Sequence, residues 1–157
     1  MWKDFILIQT SEAKKRRENS FGFLIQTLAK RLDVMMRDEL KAHNVDLKIF
    51  ANLMFLAEKD GVNQREIGNT LNFPEYYTSR NVDALVELGF AERRPDPNSR
   101  RSFLIFLTPA GKAKAKQLPP VIKKVNDEVL KELSETERKQ VIGLLQIVAG
   151  VDQDSRV

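Results

Sequence analysis

Cysteine is absent from the 157 residues, and histidine occurs once, at His43. The first absence excludes disulfides, thiolate zinc sites, iron–sulfur clusters, cysteine nucleophiles and thiol-based peroxide sensing. The second leaves a Ser-His-Asp arrangement one possible base and a Cys-His pair none. The seven glycines stand singly. No window reads GxGxxG or GxxxxGKS/T, so phosphate-cradling loops are missing too. No HExxH or ExxH pair supports a metal site. These absences point away from an enzyme and from any cofactor. No apolar run approaches the ~18 residues needed to span a bilayer. The opening Met1–Ile8 holds an acid (Asp4), a short apolar stretch and no small-residue cleavage site, so it reads poorly as a signal peptide. The expectation is a cytoplasmic protein with no membrane partner.

What is present suits one compact domain, or one domain plus an assembly segment. Hydrophobic residues make up 42% and charged residues 31%, which excludes disordered and collagen-like classes. After a basic run at Glu12–Glu18, read as a solvated helix entry, Asn19-Ser20 can cap a long helix. Phe21, Leu24, Leu28, Leu32, Met35, Met36 and Leu40 follow at steps of three and four on one face. Leu47, Phe50, Leu53, Met54 and Ala57 predict a second helix, stopping at Asp60-Gly61. Asn63 followed by Glu66 reads as a capping box opening a short helix with Ile67 and Leu71. Pro74 suits the first position of the next helix, which runs through Tyr77, Val82 and Leu85 to Gly89.

From Phe90 the period changes. Residues 90–94 and 102–107 read as two short strands around a turn-rich loop from Pro95 to Arg101. Thr108-Pro109 starts another helix with a kink expected at Pro119-Pro120. Ser134–Glu137 is a second capping box, opening a last apolar helix through Val141, Ile142, Leu144, Leu145 and Val148. The fold class is therefore mainly α with a small β-hairpin wing: a winged helix-turn-helix with N- and C-terminal dimerisation helices. Its expected divisions are 1–45 (N-terminal segment and dimerisation helix), 46–108 (winged lobe) and 109–157 (C-terminal dimerisation helices).

Two short helices joined by a tight turn and followed by a hairpin suit duplex DNA. The second helix is narrow enough for a major groove ~12 Å wide, and the first braces it across the backbone. The hairpin loop then needs cations for phosphate or the minor groove. Between Arg93 and Arg101 stand four arginines and one acid, Asp96, while the whole chain carries a formal charge of only +4.

Residues from about 20 to 149 resemble the MarR family of bacterial transcriptional regulators. The resemblance rests on the stretch from Asn81 to Gly111, similar to the family pattern VDxLExxGL, then ERRxDPxDRR, then a strand ending LTxxG. It extends to Gln64–Leu71, similar to the preceding TQxELAxxL helix. It implies a homodimer whose terminal helices interleave, bound to a roughly palindromic duplex. It also implies a regulator, commonly a repressor, released by a small aromatic or phenolic effector. The residues support dimerisation separately: Val141–Val148 and Phe5–Ile8 are more apolar than one small lobe can cover. Two-fold symmetry would set recognition helices about 34 Å apart. Where the family's wing usually carries an acid before its Arg pair, this chain has Ser99, so the loop is more mobile or an arginine is held by Asp96. Phe103 and Phe106 stand where such wings are commonly polar; Phe106 reads as packing under a helix.

The DNA-contacting candidates are Gln64 and Arg65 at the bracing helix's start, Tyr76, Thr78, Ser79, Arg80 and Asn81 on the recognition helix, and Arg93, Arg94, Asn98, Arg100 and Arg101 on the wing. Arg80 and Asn81 can each bond two atoms of a base edge, and hydroxyls suit phosphate. Tyr76 and Tyr77 cannot share a face, and Tyr77 is expected to be the more buried. One of Arg93 and Arg94 is expected to pair with Asp96. Asp83 reads as a salt-bridge partner for a wing arginine, and Glu75 as serving the helix dipole. Met36, His43, Phe50 and Met54 are ligand-pocket candidates, though such an apolar stripe is more often plain core and a lone loop His more often a solvated or capping residue. The function expected is a sequence-specific regulator of double-stranded DNA. The alternative is a winged-helix interaction module with Phe103, Phe106 and Trp2 on its surface, whose binding would lack steep salt dependence.

Overall fold

The computed structural model of the protein describes residues 12–151. Trp2, Phe5–Ile8 and the side chain of Arg100 lie outside the described part. A helical segment at 12–18 leads into α1 (Phe21–Lys41), entered at Ser20 without a side-chain cap bond. Of its whole length only Leu40 is buried. α2 (Leu47–Glu58) begins where Asp46 Oδ1 accepts the Lys48 N–H at 2.8 Å, and it buries Ile49, Asn52, Leu53, Phe55 and Leu56.

α3 (Gln64–Leu71) is capped by Asn63, whose Oδ1 accepts the Glu66 N–H at 2.9 Å. Only this half of the expected capping box forms, because the Glu66 carboxylate pairs with Lys59. Asn72, at φ +52°, ends α3 in the left-handed region that Asn tolerates. Pro74 then sits just before α4 (Glu75–Glu87), as its cap residue and not its first helical residue. The two helices meet closely at Gly68: a Cβ there would lie 3.0 Å from Thr78 Oγ1 and 3.2 Å from the Phe73 carbonyl oxygen.

The sheet has three antiparallel strands, β1 (Val62–Asn63), β2 (Ala91–Asp96) and β3 (Ser99–Leu107), in the order β1-β3-β2. Only the two strands of the hairpin were legible in the sequence, since a two-residue strand has no periodicity to read. The hairpin strands also reach further than expected, leaving Pro97-Asn98 as the turn. Pro95 is tolerated because β2 is an edge strand.

α5 (Pro109–Ala115) starts at Thr108, whose Oγ1 accepts the Gly111 N–H at 3.1 Å. The expected kink at Pro119-Pro120 is a break: α6 (Pro119–Val129) is a separate helix, since a proline ring clashes with the preceding turn and lacks its N–H. α7 (Glu135–Val148) carries the capping box in full. There the Ser134 hydroxyl and N–H hold the Glu137 carboxyl below its ordinary range.

Leu53, Leu56, Ile67, Leu85, Ile105 and Leu118 form the centre of one core shared by α2–α5 and the sheet. Each contributes roughly 1.5–3 kcal/mol. α1 lies along α6, tied by Lys124 to Glu39 at 2.7 Å. α7 buries nothing; its Leu144, Ile147 and Val148 are more than 60% exposed. Among the described residues no helix is long and apolar enough to cross a membrane.

Candidate nucleic-acid interface

Helix α4 has two faces, and they divide the predicted readers. Thr78, Asn81, Val82 and Leu85 are buried at helical spacing. Tyr76, Arg80, Asp83 and Glu87 are exposed on the opposite side, with Tyr76 at 68%. Thr78 and Asn81 are therefore corrected from DNA contacts to core residues. Thr78, 1% exposed, packs on Gly68 and donates its hydroxyl to the Pro74 carbonyl at 3.2 Å. Asn81, 4% exposed, donates from Nδ2 to Asn52 Oδ1 at 3.1 Å, linking α4 to α2. Ser79 is half-buried beside this face, and Arg80 remains outward. Tyr77 is the more buried tyrosine, edge-on to Phe73 at 5.0 Å between ring centres.

Asn52 is the residue that sequence reasoning missed. Its signal was a polar side chain in an otherwise apolar helix. Its Nδ2 has no partner among the described residues. Asn81→Ala would strip Asn52 Oδ1 of its donor as well, and a buried orphan costs about 1–3 kcal/mol. The expected urea midpoint falls accordingly. The double variant Asn52→Leu, Asn81→Leu, with apolar groups of similar shape, should recover most of the loss; equal loss in both would refute this account.

The hairpin is held to α4 and α3 by Arg93. Its guanidinium pairs with Asp83 and also donates to Gln64 Oε1 at 3.3 Å. The expected partnership of Asp83 with a wing arginine is thus present. It engages both Arg93 and Gln64 in positioning the hairpin against α3 and α4. Arg94 pairs with Glu92 and lies 4.3 Å above the Phe106 ring. Neither arginine takes Asp96, contrary to expectation. Asp96 instead builds the turn: Oδ1 accepts the Asn98 N–H at 2.8 Å and Oδ2 accepts from the Ser102 hydroxyl at 2.7 Å. Phe106 is half-buried, lying under Arg94 and against Gly61, where a Cβ would meet its ring at 2.7 Å.

At the hairpin's end the register slips. Pro95 pairs with Phe103 and Asp96 with Ser99, so residues 100–102 of β3 form a bulge without partners on β2. Bulges re-aim side chains, and Arg101 stands in this one, next to the hairpin turn. Arg101 and Asn98 are exposed there, and Arg65 is exposed at the first turn of α3. The exposed side chains thus include Tyr76 and Arg80 on α4, Arg65 on α3 and Arg101 on the hairpin. That combination supplies planar, bidentate donors for base edges and cations for phosphate.

The four pocket candidates fall in different surroundings. Met36, Phe50 and Met54 pack against the hydrophobic core. His43 lies in the turn after α1, where its carbonyl accepts from Lys114 Nζ at 2.8 Å. Met54 also borders an open groove of about 410 Å³ between α2 and α5, beside Asp60, Lys112 and Lys116.

Comparison with known proteins agrees with this geometry. Residues 50–102 match the model of the MarR family. The HTH-type transcriptional regulator BilQ of Clostridium symbiosum is 27% identical over 129 residues, covering 82% of this chain and 90% of that protein. A mutant MarR from E. coli, solved complexed with operator DNA, superposes with a TM-score of 0.75 at 26% identity, covering 81% and 91% of the two chains. A MarR transcriptional regulator from Methanosarcina mazei Go1 shares the fold, with a TM-score of 0.77 at 23% identity and coverage of 82% and 93%. With its helix-turn-helix and its arginine-bearing wing, the chain is thus similar over residues 50–102 to the MarR family, and over most of its length to winged-helix transcriptional regulators.

Proposed function

We propose that this protein is a sequence-specific repressor that binds near-palindromic double-stranded DNA as a homodimer. The observation that carries the reading is the Arg93 bridge. It locks the arginine-tipped hairpin to the helix that exposes Tyr76 and Arg80, so that groove and backbone contacts act as one rigid unit. In this reading residues 46–108 hold the duplex, while 1–45 and 109–157 join two copies. Support for pairing comes from the apolar side chains that one protomer leaves uncovered: Phe21, Leu24, Leu28 and Val34 on α1, and Leu144, Ile147 and Val148 on α7. The operator complex of the E. coli relative supports the DNA contact.

The test is selection from random genomic duplex fragments at two salt concentrations, with the bound pool sequenced. A near-palindrome whose binding falls steeply with salt is the expected result. Salt-sensitive binding without an enriched site would reduce the protein to a nonspecific binder, and no binding at either salt would overturn the reading. Arg101→Ala should weaken every duplex alike and lower the slope of log affinity against log salt by about 1. An unchanged slope would remove Arg101 from the phosphate contacts.

A further inference from the structure

The two phenylalanines of the hairpin are treated differently by the fold. Phe106 is covered by Arg94 and closed against Gly61. Phe103, three residues nearer the tip, is 51% exposed. Strand pairing sets which side of the hairpin it is on. Phe103 is opposite Pro95, and the next pair in on the same face is Ile105 with Arg93. That is the face on which Ile105 is buried beneath the helices and from which Arg93 reaches Asp83 of α4 and Gln64 of α3. Phe103 therefore continues the recognition-helix side of the wing past the point where helices cover it. Immediately beyond it stands the bulge of Arg100, Arg101 and Ser102. β1 ends at Asn63 opposite Leu104, one residue short of Phe103, and α3 begins there with Gln64 and the exposed Arg65.

An exposed aromatic on its own needs no explanation. This one is bracketed by cations, Arg101 beyond it and Arg65 at the neighbouring helix start. Both favour a polyanion as the occupant of this surface and disfavour a purely apolar protein partner. We propose that Phe103, backed by Pro95, is an apolar minor-groove contact. It enters beside the wing arginines and packs on the sugar walls or wedges against a base step. The minor groove fits because it is only ~6 Å wide and offers few hydrogen-bonding atoms, so shape and apolar contact carry much of its recognition. The proposal rests on the DNA-binding reading above and adds a discriminating residue to it. Such a contact distinguishes base pairs by the exocyclic amine of guanine, which protrudes into this groove.

The experiment compares the parent chain with Phe103→Ala, Phe103→Leu and Arg101→Ala on the enriched duplex, over a range of salt. The pairs under the wing are varied among A·T, G·C and inosine·C; inosine lacks the minor-groove amine. Phe103→Ala is expected to lose about five- to tenfold in affinity, from leaving half a ring unburied, with an unchanged salt slope and unchanged thermal midpoint. Phe103→Leu should retain most of the affinity. The parent should weaken on G·C under the wing and recover on inosine·C, and Phe103→Ala should be indifferent to that exchange. If Phe103→Ala binds like the parent while the parent binds well, the proposal is overturned and the DNA reading stands. The same holds if Phe103→Ala alters only self-association, seen by sedimentation. If the parent binds no duplex, both fall together.

Discussion

Gly111→Ala should unfold at a much lower urea concentration than the parent chain, with a loss of about 3 kcal/mol or more. A Cβ at that position would lie 1.9 Å from the Phe90 carbonyl oxygen, 2.8 Å from its carbon and 3.2 Å from Leu107 Cδ2. The obstacle is backbone, and it is pinned. The Phe90 oxygen accepts the Thr108 N–H at 3.0 Å, and the adjacent Gly89 oxygen accepts the Thr108 hydroxyl at 2.6 Å. Helix propensity pulls the other way, favouring Ala over Gly by about 1 kcal/mol. Overlap with immobile backbone outweighs that gain. Gly143 in α7 is the control, since a Cβ there meets nothing within 4 Å in the protomer. Alanine at 143 should be neutral or slightly stabilising, measured by the same denaturation curves. A Gly111→Ala chain as stable as its parent would mean that α5 is not seated on the start of β2 as described.

The second large effect is expected at Arg80. Arg80→Ala should leave stability unchanged, because the side chain lies on the exposed face of α4. Its cost should fall on one or two base pairs, about 1–3 kcal/mol of discrimination, or roughly five- to 150-fold. The readout is the enriched-site profile, in which one position of each half-site should relax. Asn81, its neighbour in sequence, should behave oppositely: substitution there lowers stability through the lost bond to Asn52. An Arg80→Ala chain with the parent's profile would place base reading elsewhere, with Tyr76 the next residue to test.

The contrast between Arg80 and Asn81 marks how far the sequence could be read. Side chains of similar hydrogen-bonding ability stand next to each other, and composition cannot separate them. Their spacing could have done so: Thr78, Asn81, Val82 and Leu85 recur at the interval of one helical face. Polarity alone led the other way, because a buried Asn is acceptable only when a partner is waiting, and that partner lies 29 residues earlier in the chain. The wing arginines raise the same difficulty. Four cations in a short loop look equivalent in sequence, yet Asp83 holds Arg93, Glu92 and Phe106 occupy Arg94, and Arg101 stands exposed in a bulge.

Features that depend on neighbours in the chain were determined by the sequence itself. Asn63, Thr108 and Ser134 cap their helices through bonds to residues three positions on. The existence of the hairpin follows from two strand-like runs around a turn-rich segment, and an interruption at Pro119-Pro120 follows from a missing N–H and a clashing ring, though the exact turn and the full break were set by the fold. Only the tertiary structure decided which polar groups face inward, that Asp96 serves the turn instead of an arginine, that Val62–Asn63 completes the sheet, and that Met36, Phe50 and Met54 join the core. The reason is the same in each case. These outcomes depend on which group from a distant segment arrives alongside, and an ion pair or a buried amide bond exists only once packing has brought both halves within about 3 Å.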